Sequence, residues 1–179
     1  TILEQRQPII IIADRESDIY DFLAIVPDKK THLLLRSSSN RKLVQGSTLS
    51  EHLSTVPCMH QFTIEIQGDI RKDICKRSAT LSLKWSTVRI KKPSSSHDQT
   101  LPKGIEINVV EAREGSDKKG IYWRLLTTHP IDGVEQAVQI IDWDKQRWNI
   151  EQLHRLMKNE GIRIENSKLE KGWAIRKLT

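Results

Sequence analysis

The chain has 179 residues, 37% of them hydrophobic, which is enough for a genuine core and too apolar for a largely disordered chain. Lys and Arg total 29 against 23 Asp and Glu, so the net charge is +6, a moderate basic excess that suits a polyanionic partner. The longest unbroken apolar run, Ile9 to Ala13, falls far short of the ~18 residues of a membrane span, which excludes a transmembrane helix. Cys58 and Cys75 lack CxxC spacing and no secretory h-region is present, which favours a reducing, intracellular setting without a disulfide framework.

Residues 8 to 14, Pro-Ile-Ile-Ile-Ile-Ala-Asp, form a continuous β-branched run ending in an acid, the pattern of a strand buried on both faces. From Glu16 to Val26 the apolar residues Ile19, Phe22, Leu23 and Val26 follow i, i+3, i+4, i+7 spacing, so a helix is expected, ended by Pro27-Asp28. His32 to Arg36 reads as a second core strand, and strand, helix, strand implies a parallel βαβ pair. After Ser37-Ser-Ser-Asn40 the pattern changes to short alternating runs at Phe62–Gln67, Ala79–Leu83, Thr87–Lys91 and Ile105–Ala112, separated by turn clusters. This is an antiparallel β insertion, closed by Ile121 to Thr128. Between Asp69 and Lys92 it holds eight Lys or Arg against two Asp, a local +6 equal to the net charge of the whole chain. Helical periodicity returns from Gly133 to Asp142 and from Lys145 to Glu160, where Gly161 stops it.

The second of these helical stretches carries the most chemistry. At helical spacing Arg147, Glu151, His154 and Lys158 share one stripe, opposite Ile150, Leu153, Leu156 and Met157. A solvated face is the plain account, with an Arg147–Glu151 pair worth only ~0.3–0.5 kcal/mol. The sharper account is a phosphate-facing surface, where a carboxylate holds a hard divalent metal and flanking cations neutralise the phosphodiester. Asp14 has a similar double reading: it is a helix N-cap, or it is a functional acid at the carboxyl end of a buried parallel strand. Cys58-Met-His60 with His52 lacks a zinc spacing and reads as structural. No glycine-rich phosphate loop and no HExxH motif supports an ATPase or a zinc hydrolase.

Taken together, Asp14-Arg-Glu-Ser-Asp18 and Arg147-Trp-Asn-Ile-Glu151 with Lys158 resemble the DDE transposases of the IS4 group. That group's signature is Tyr, two residues, Arg, three residues, Glu, six residues, Lys. Arg147, Glu151 and Lys158 match its last three members, and Asp144 stands where the Tyr belongs. Leu33-Leu-Leu-Arg36 is similar to the strand and DNA-contacting Arg after the second catalytic Asp, and Tyr122-Trp-Arg-Leu-Leu-Thr127 to the last insertion strand with its base-stacking Trp.

The resemblance implies an α/β fold, a partial RNase H-like core formed by a βαβ unit and C-terminal helices, interrupted by the antiparallel β insertion. Its expected division is residues 1–40 as the first part of the core, 41–128 as the insertion and 129–179 as the C-terminal helices. It implies that Asp14 and Glu151 are the second and third catalytic carboxylates and metal ligands, sharing two Mg²⁺ or Mn²⁺ ions in the complete enzyme. Arg36, Trp123, Arg147 and Lys158 become DNA contacts. Without that context, Trp123 and Trp148 read as packing, Arg36 as a surface charge, and the basic insertion as a solvated face. The implied activity is cut-and-paste transposition on double-stranded DNA, at transposon ends and target, by a homodimer in a synaptic complex associated with a bacterial nucleoid in the cytoplasm. Related readings are a metal-dependent nuclease without strand transfer and a remnant that only binds DNA. A start at Thr1 without Met, and an end inside a helix-like stretch at Trp173 to Thr179, lead to the expectation of a fragment whose first catalytic Asp lies upstream.

Overall fold

The structure is a computed structural model that describes residues 7–66, 75–96, 98–115 and 120–159. It divides into two compact units, residues 1–142 and 143–179. The first holds one six-stranded sheet. In chain order the elements are β1 (Ile9–Ala13), a 3-10 turn (Arg15–Ser17), α1 (Tyr20–Ile25), β2 (Thr31–Arg36), α2 (Leu49–Thr55), β3 (His60–Ile66), β4 (Arg77–Lys91), β5 (Gly104–Glu114), β6 (Tyr122–Thr127) and α3 (Val134–Asn159).

The sheet order is β1-β2-β6-β5-β4-β3. β1 and β2 run parallel, with Ile9 opposite Thr31 and Ala13 opposite Leu35, as the βαβ pattern requires. Every other neighbouring pair is antiparallel. The strands expected as an insertion therefore hydrogen-bond onto the same sheet as β1 and β2, through β6. The alternating runs expected at Ala79–Leu83 and Thr87–Lys91 are one 15-residue strand, β4.

Strand alternation explains the core. Leu33, Leu35, Val88, Ile90, Ile107, Val109 and Leu126 point to one face and cluster with Tyr20 and Leu23 of α1, Leu49 and Leu53 of α2, and Leu43. The residues between them, Leu34, Val110 and Leu125, are also fully buried. The middle of the sheet is thus covered on both sides, which is why residues 33 to 35 read as an unbroken Leu run. Truncating one of these leucines to Ala costs ~2–5 kcal/mol.

Two local differences from the sequence pattern have physical causes. The helix expected from Glu16 starts only at Tyr20, because Asp14 caps the 3-10 turn instead, accepting the Arg15 N–H at 2.6 Å, and Asp18 is drawn into a tertiary contact. α2 is absent from the sequence reading, although Thr48-x-x-Glu51 is a capping box. Glu51 accepts the Thr48 N–H at 2.7 Å, and Thr48 Oγ1 accepts the Glu51 N–H at 3.3 Å. The two helical stretches expected after residue 133 are a single helix, α3.

Candidate nucleic-acid interface

Parallel pairing sets the first half of the site. Ala13 lies opposite Leu35, so the next residues, Asp14 and Arg36, leave β1 and β2 at the same end. β6 runs the other way, with Arg36 opposite Leu125, and its start reaches past the end of β2, where the Ser37 N–H donates to the Arg124 carbonyl at 2.8 Å. Trp123 therefore arrives at the end that carries Asp14 and Arg36. There a pocket of about 180 Å³ is lined by Arg15, Arg36, Ser37, Tyr122, Trp123 and Arg124. Asp14 is exposed beside it, at the carboxyl end of β1.

Three arginines and two aromatic residues line this one small pocket, with Arg36 and Trp123 on one face of the sheet and Tyr122 and Arg124 on the other. The β5–β6 hairpin holds its aromatic side in place. Tyr122 Oη donates to Glu111 Oε2 at 2.7 Å, and Arg124 Nη2 lies 3.3 Å from the same oxygen. Lys84 Nζ is 4.0 Å from Glu111 Oε1. The Arg124 and Arg113 guanidinium carbons stand 5.3 and 5.8 Å from the Tyr122 ring centre. Burial of the hydroxyl end, then the bond to the Glu111 carboxylate, pushes the Tyr122 phenol up to about 12.

The loop after β2 is held by a second buried acid. The Asp18 side chain is fully buried and accepts the N–H groups of Ser38 at 2.7 Å and Ser39 at 3.3 Å. Arg41 Nε donates to it at 2.7 Å, and Arg41 Nη2 reaches both its carboxylate and its carbonyl. Asp18, Glu111, Tyr122 and Arg124 escaped the sequence reading as site-forming residues. A Tyr-Trp-Arg triplet opening a strand was the available signal, since strand alternation sends Trp123 to one face and its two neighbours to the other.

Arg36 and Trp123 are both half-buried, as is Arg147 on α3, in the second unit. The α3 backbone runs through positions 147, 151, 154 and 158. The side chains of Trp148, Glu151, His154 and Lys158 lie outside the described residues. So does part of the basic stretch, residues 67–74. Asp144, at the place of the motif Tyr, is buried, and Ile150 and Leu153 of the expected apolar arc are exposed. Cys58 and Cys75 are exposed and unpaired with each other, and His52 Nε2 contacts Ser86 Oγ at 2.9 Å.

Asp14 suits a divalent cation by donor type: a carboxylate has about four lone-pair sites, one of which the Arg15 N–H occupies. Among the described residues no three His, Cys, Asp or Glu side chains converge, and Glu151 is outside that set. No helix among them is long and apolar enough to cross a membrane.

A family model described as Transposase DDE domain matches residues 1–178, and the chain belongs to that family. This is the domain of a transposase, an enzyme class that acts on DNA and generally uses divalent metal ions.

Proposed function

We propose that this chain belongs to the IS4-type, cut-and-paste branch of the family, with a likeness to the transposase of Tn5, and that Asp14 and Glu151 are its second and third catalytic carboxylates. On this reading residues 1–40 and 129–179 belong to an RNase H-like core and 41–128 are its insertion. One observation carries most of the weight: positions 14, 36 and 123, singled out by motif alone, meet at one end of the sheet around the Arg15–Trp123 pocket. Chance placement of three residues so far apart in sequence does not ordinarily do this.

In the proposed site, Asp14 and Glu151 offer hard oxygen ligands to Mg²⁺ or Mn²⁺. Two such ions, when bound, activate water or a 3′-OH and stabilise the leaving oxygen of an in-line displacement. Arg36, Arg147 and Lys158 hold DNA phosphates, so that the scissile phosphodiester is oriented before any bond breaks. Trp123 stacks an unpaired base at the transposon end, with Arg36 on the same face of the sheet to neutralise an adjoining phosphate. The working species is a homodimer on paired transposon ends, which then joins them to target DNA in the bacterial cytoplasm, at the nucleoid.

The test is Mg²⁺-dependent cleavage of transposon-end DNA by the transposase that carries this chain. Asp14→Asn and Glu151→Gln should each lower cleavage by ~100-fold or more while leaving DNA binding in place. Unchanged cleavage in both variants removes the site assignment. Cleavage without strand transfer in the parent protein favours a nuclease, and binding without either step favours a DNA-binding remnant.

A further inference from the structure

A second cationic site lies on the other side of the Ser37–Arg41 loop. Residues 42–44 pair with the edge of β4: Leu43 bridges Ile90, the Val44 N–H donates to the Arg89 carbonyl at 2.9 Å, and the Lys91 N–H to the Lys42 carbonyl at 2.8 Å. This register sets Lys42 directly opposite Lys91. Next to them the Lys92 N–H donates to the Lys103 carbonyl at 3.0 Å, one residue beyond the Lys42–Lys91 pair, whose level on β5 is occupied by Gly104. Gly104 permits the close docking, since a Cβ there would stand 2.6 Å from Val44 Cγ2.

Like charges directly opposed on paired strands destabilise the pairing. Among the described residues no carboxylate lies in ion-pair reach of Lys42 or Lys91, and both are exposed. Lys92 donates to the Asp98 carbonyl and attracts the Asp98 carboxylate, which also accepts from Thr100 N at 2.8 Å and Thr100 Oγ1 at 2.6 Å. Arg41 is already neutralised by Asp18. What remains is a pocket of about 480 Å³, lined by Ser39, Arg41, Lys42, Lys91, Lys92 and Ser94, among others, in which the opposed charges of Lys42 and Lys91 call for an external anion.

We infer that this pocket is a second binding site for the backbone phosphates of duplex DNA. Strands lie ~4.8 Å apart, so Lys42 and Lys91 stand about one strand spacing apart, and DNA presents a phosphate about every 3.4 Å of helix axis along each strand. The opposed lysines, with Lys92 also lining the pocket, suit neighbouring phosphates of one DNA strand. Ser37 lines the aromatic pocket and Ser39 lines this one. The four-residue step from Ser37 to Arg41 reaches at most ~14 Å, well under one ~34 Å turn of duplex. A duplex that enters one pocket runs on past the other. The buried Asp18–Arg41 pair fixes the loop between them.

The inference rests on the transposase reading, and its test separates the two. In the transposase carrying this chain, Lys42→Gln/Lys91→Gln should flatten the dependence of log affinity on log salt by about 2, one for each phosphate contact. Two arms identify the duplex: binding of transposon-end DNA, and strand transfer into unrelated target DNA. A reduced slope or salt-dependent loss in either arm supports the site and names its duplex. Unchanged behaviour in both arms overturns it. Melting temperature should hold or rise, because the opposed charges are gone. A fall in melting temperature would contradict the repulsion on which the inference stands. Lys42→Glu/Lys91→Glu should deepen the loss without touching Asp14. Asp14→Asn should keep the parental salt slope, so failure of the cleavage assignment leaves this result intact.

Discussion

The loop after β2 and the β5–β6 hairpin are each organised by one buried acid, and they use it differently. Asp18 ties its carboxylate to one short segment: the Ser38 and Ser39 N–H groups and hydroxyls and the Arg41 guanidinium close around it. Glu111 collects side chains from neighbouring strands instead, taking Tyr122, Arg124 and Lys84. The first arrangement fixes the course of a chain segment, and the second fixes the orientation of side chains on a chain already held by its ladder. The loop brings Ser37 to the aromatic pocket, and the hairpin brings Tyr122, Trp123 and Arg124.

The sharpest way to break this contrast is Asp18→Ala. It strands Arg41, which is 9% exposed, without its counter-charge, and a broken buried pair costs ~3–5 kcal/mol. Chemical denaturation should show that loss, and amide exchange at Ser38 and Ser39 should rise. Protection of those amides in the variant would mean that the loop does not depend on Asp18. Glu111→Gln comes next, with an expected loss of ~1–3 kcal/mol, because the strands keep their own hydrogen bonds while Arg124 loses a charged partner. Amide exchange in β5 and β6 should change little. The smallest effect concerns Tyr122. Its phenol titrates near 12 in the fold against 10.0 unfolded, so the folded state keeps its proton between those values and the unfolded state does not. Stability from this group is complete below pH 10 and falls as pH rises towards 12. In Tyr122→Phe that alkaline step should disappear from a pH series of melting curves.

What could be read from the residues follows the range of the interactions. β2 was legible because a continuous apolar strand leaves a local imprint, and β4 and β5 because alternation does; β1 is a strand as expected but not one buried on both faces, since it ends the sheet and Ile9 is 53% exposed. The strands themselves left a local pattern, but a shared setting for Asp14, Arg36 and Trp123 was suggested only by motif resemblance. The late start of α1 was hidden because Asp18 binds residues 20 to 23 positions away, and helical periodicity carries no information about such partners. Glu111 was hidden likewise: its bonds to Tyr122 and Arg124 depend on the β5–β6 register, which no single strand reveals. α2 is a different case, since its capping box is entirely local and lay in view at Thr48 and Glu51.

β4 has a further consequence for behaviour in solution. Its outer edge is shared: β3 pairs with residues 77–83, and the Lys42–Val44 segment takes over at residues 89–91. Between them α2 reaches across, with Lys84 donating to the Leu53 carbonyl at 3.1 Å and His52 contacting Ser86. A 15-residue strand with an open edge would be a template for pairing with other copies of the chain. Here that edge is occupied in relay by three separate segments, which lets the protein carry so long a strand without offering it for aggregation.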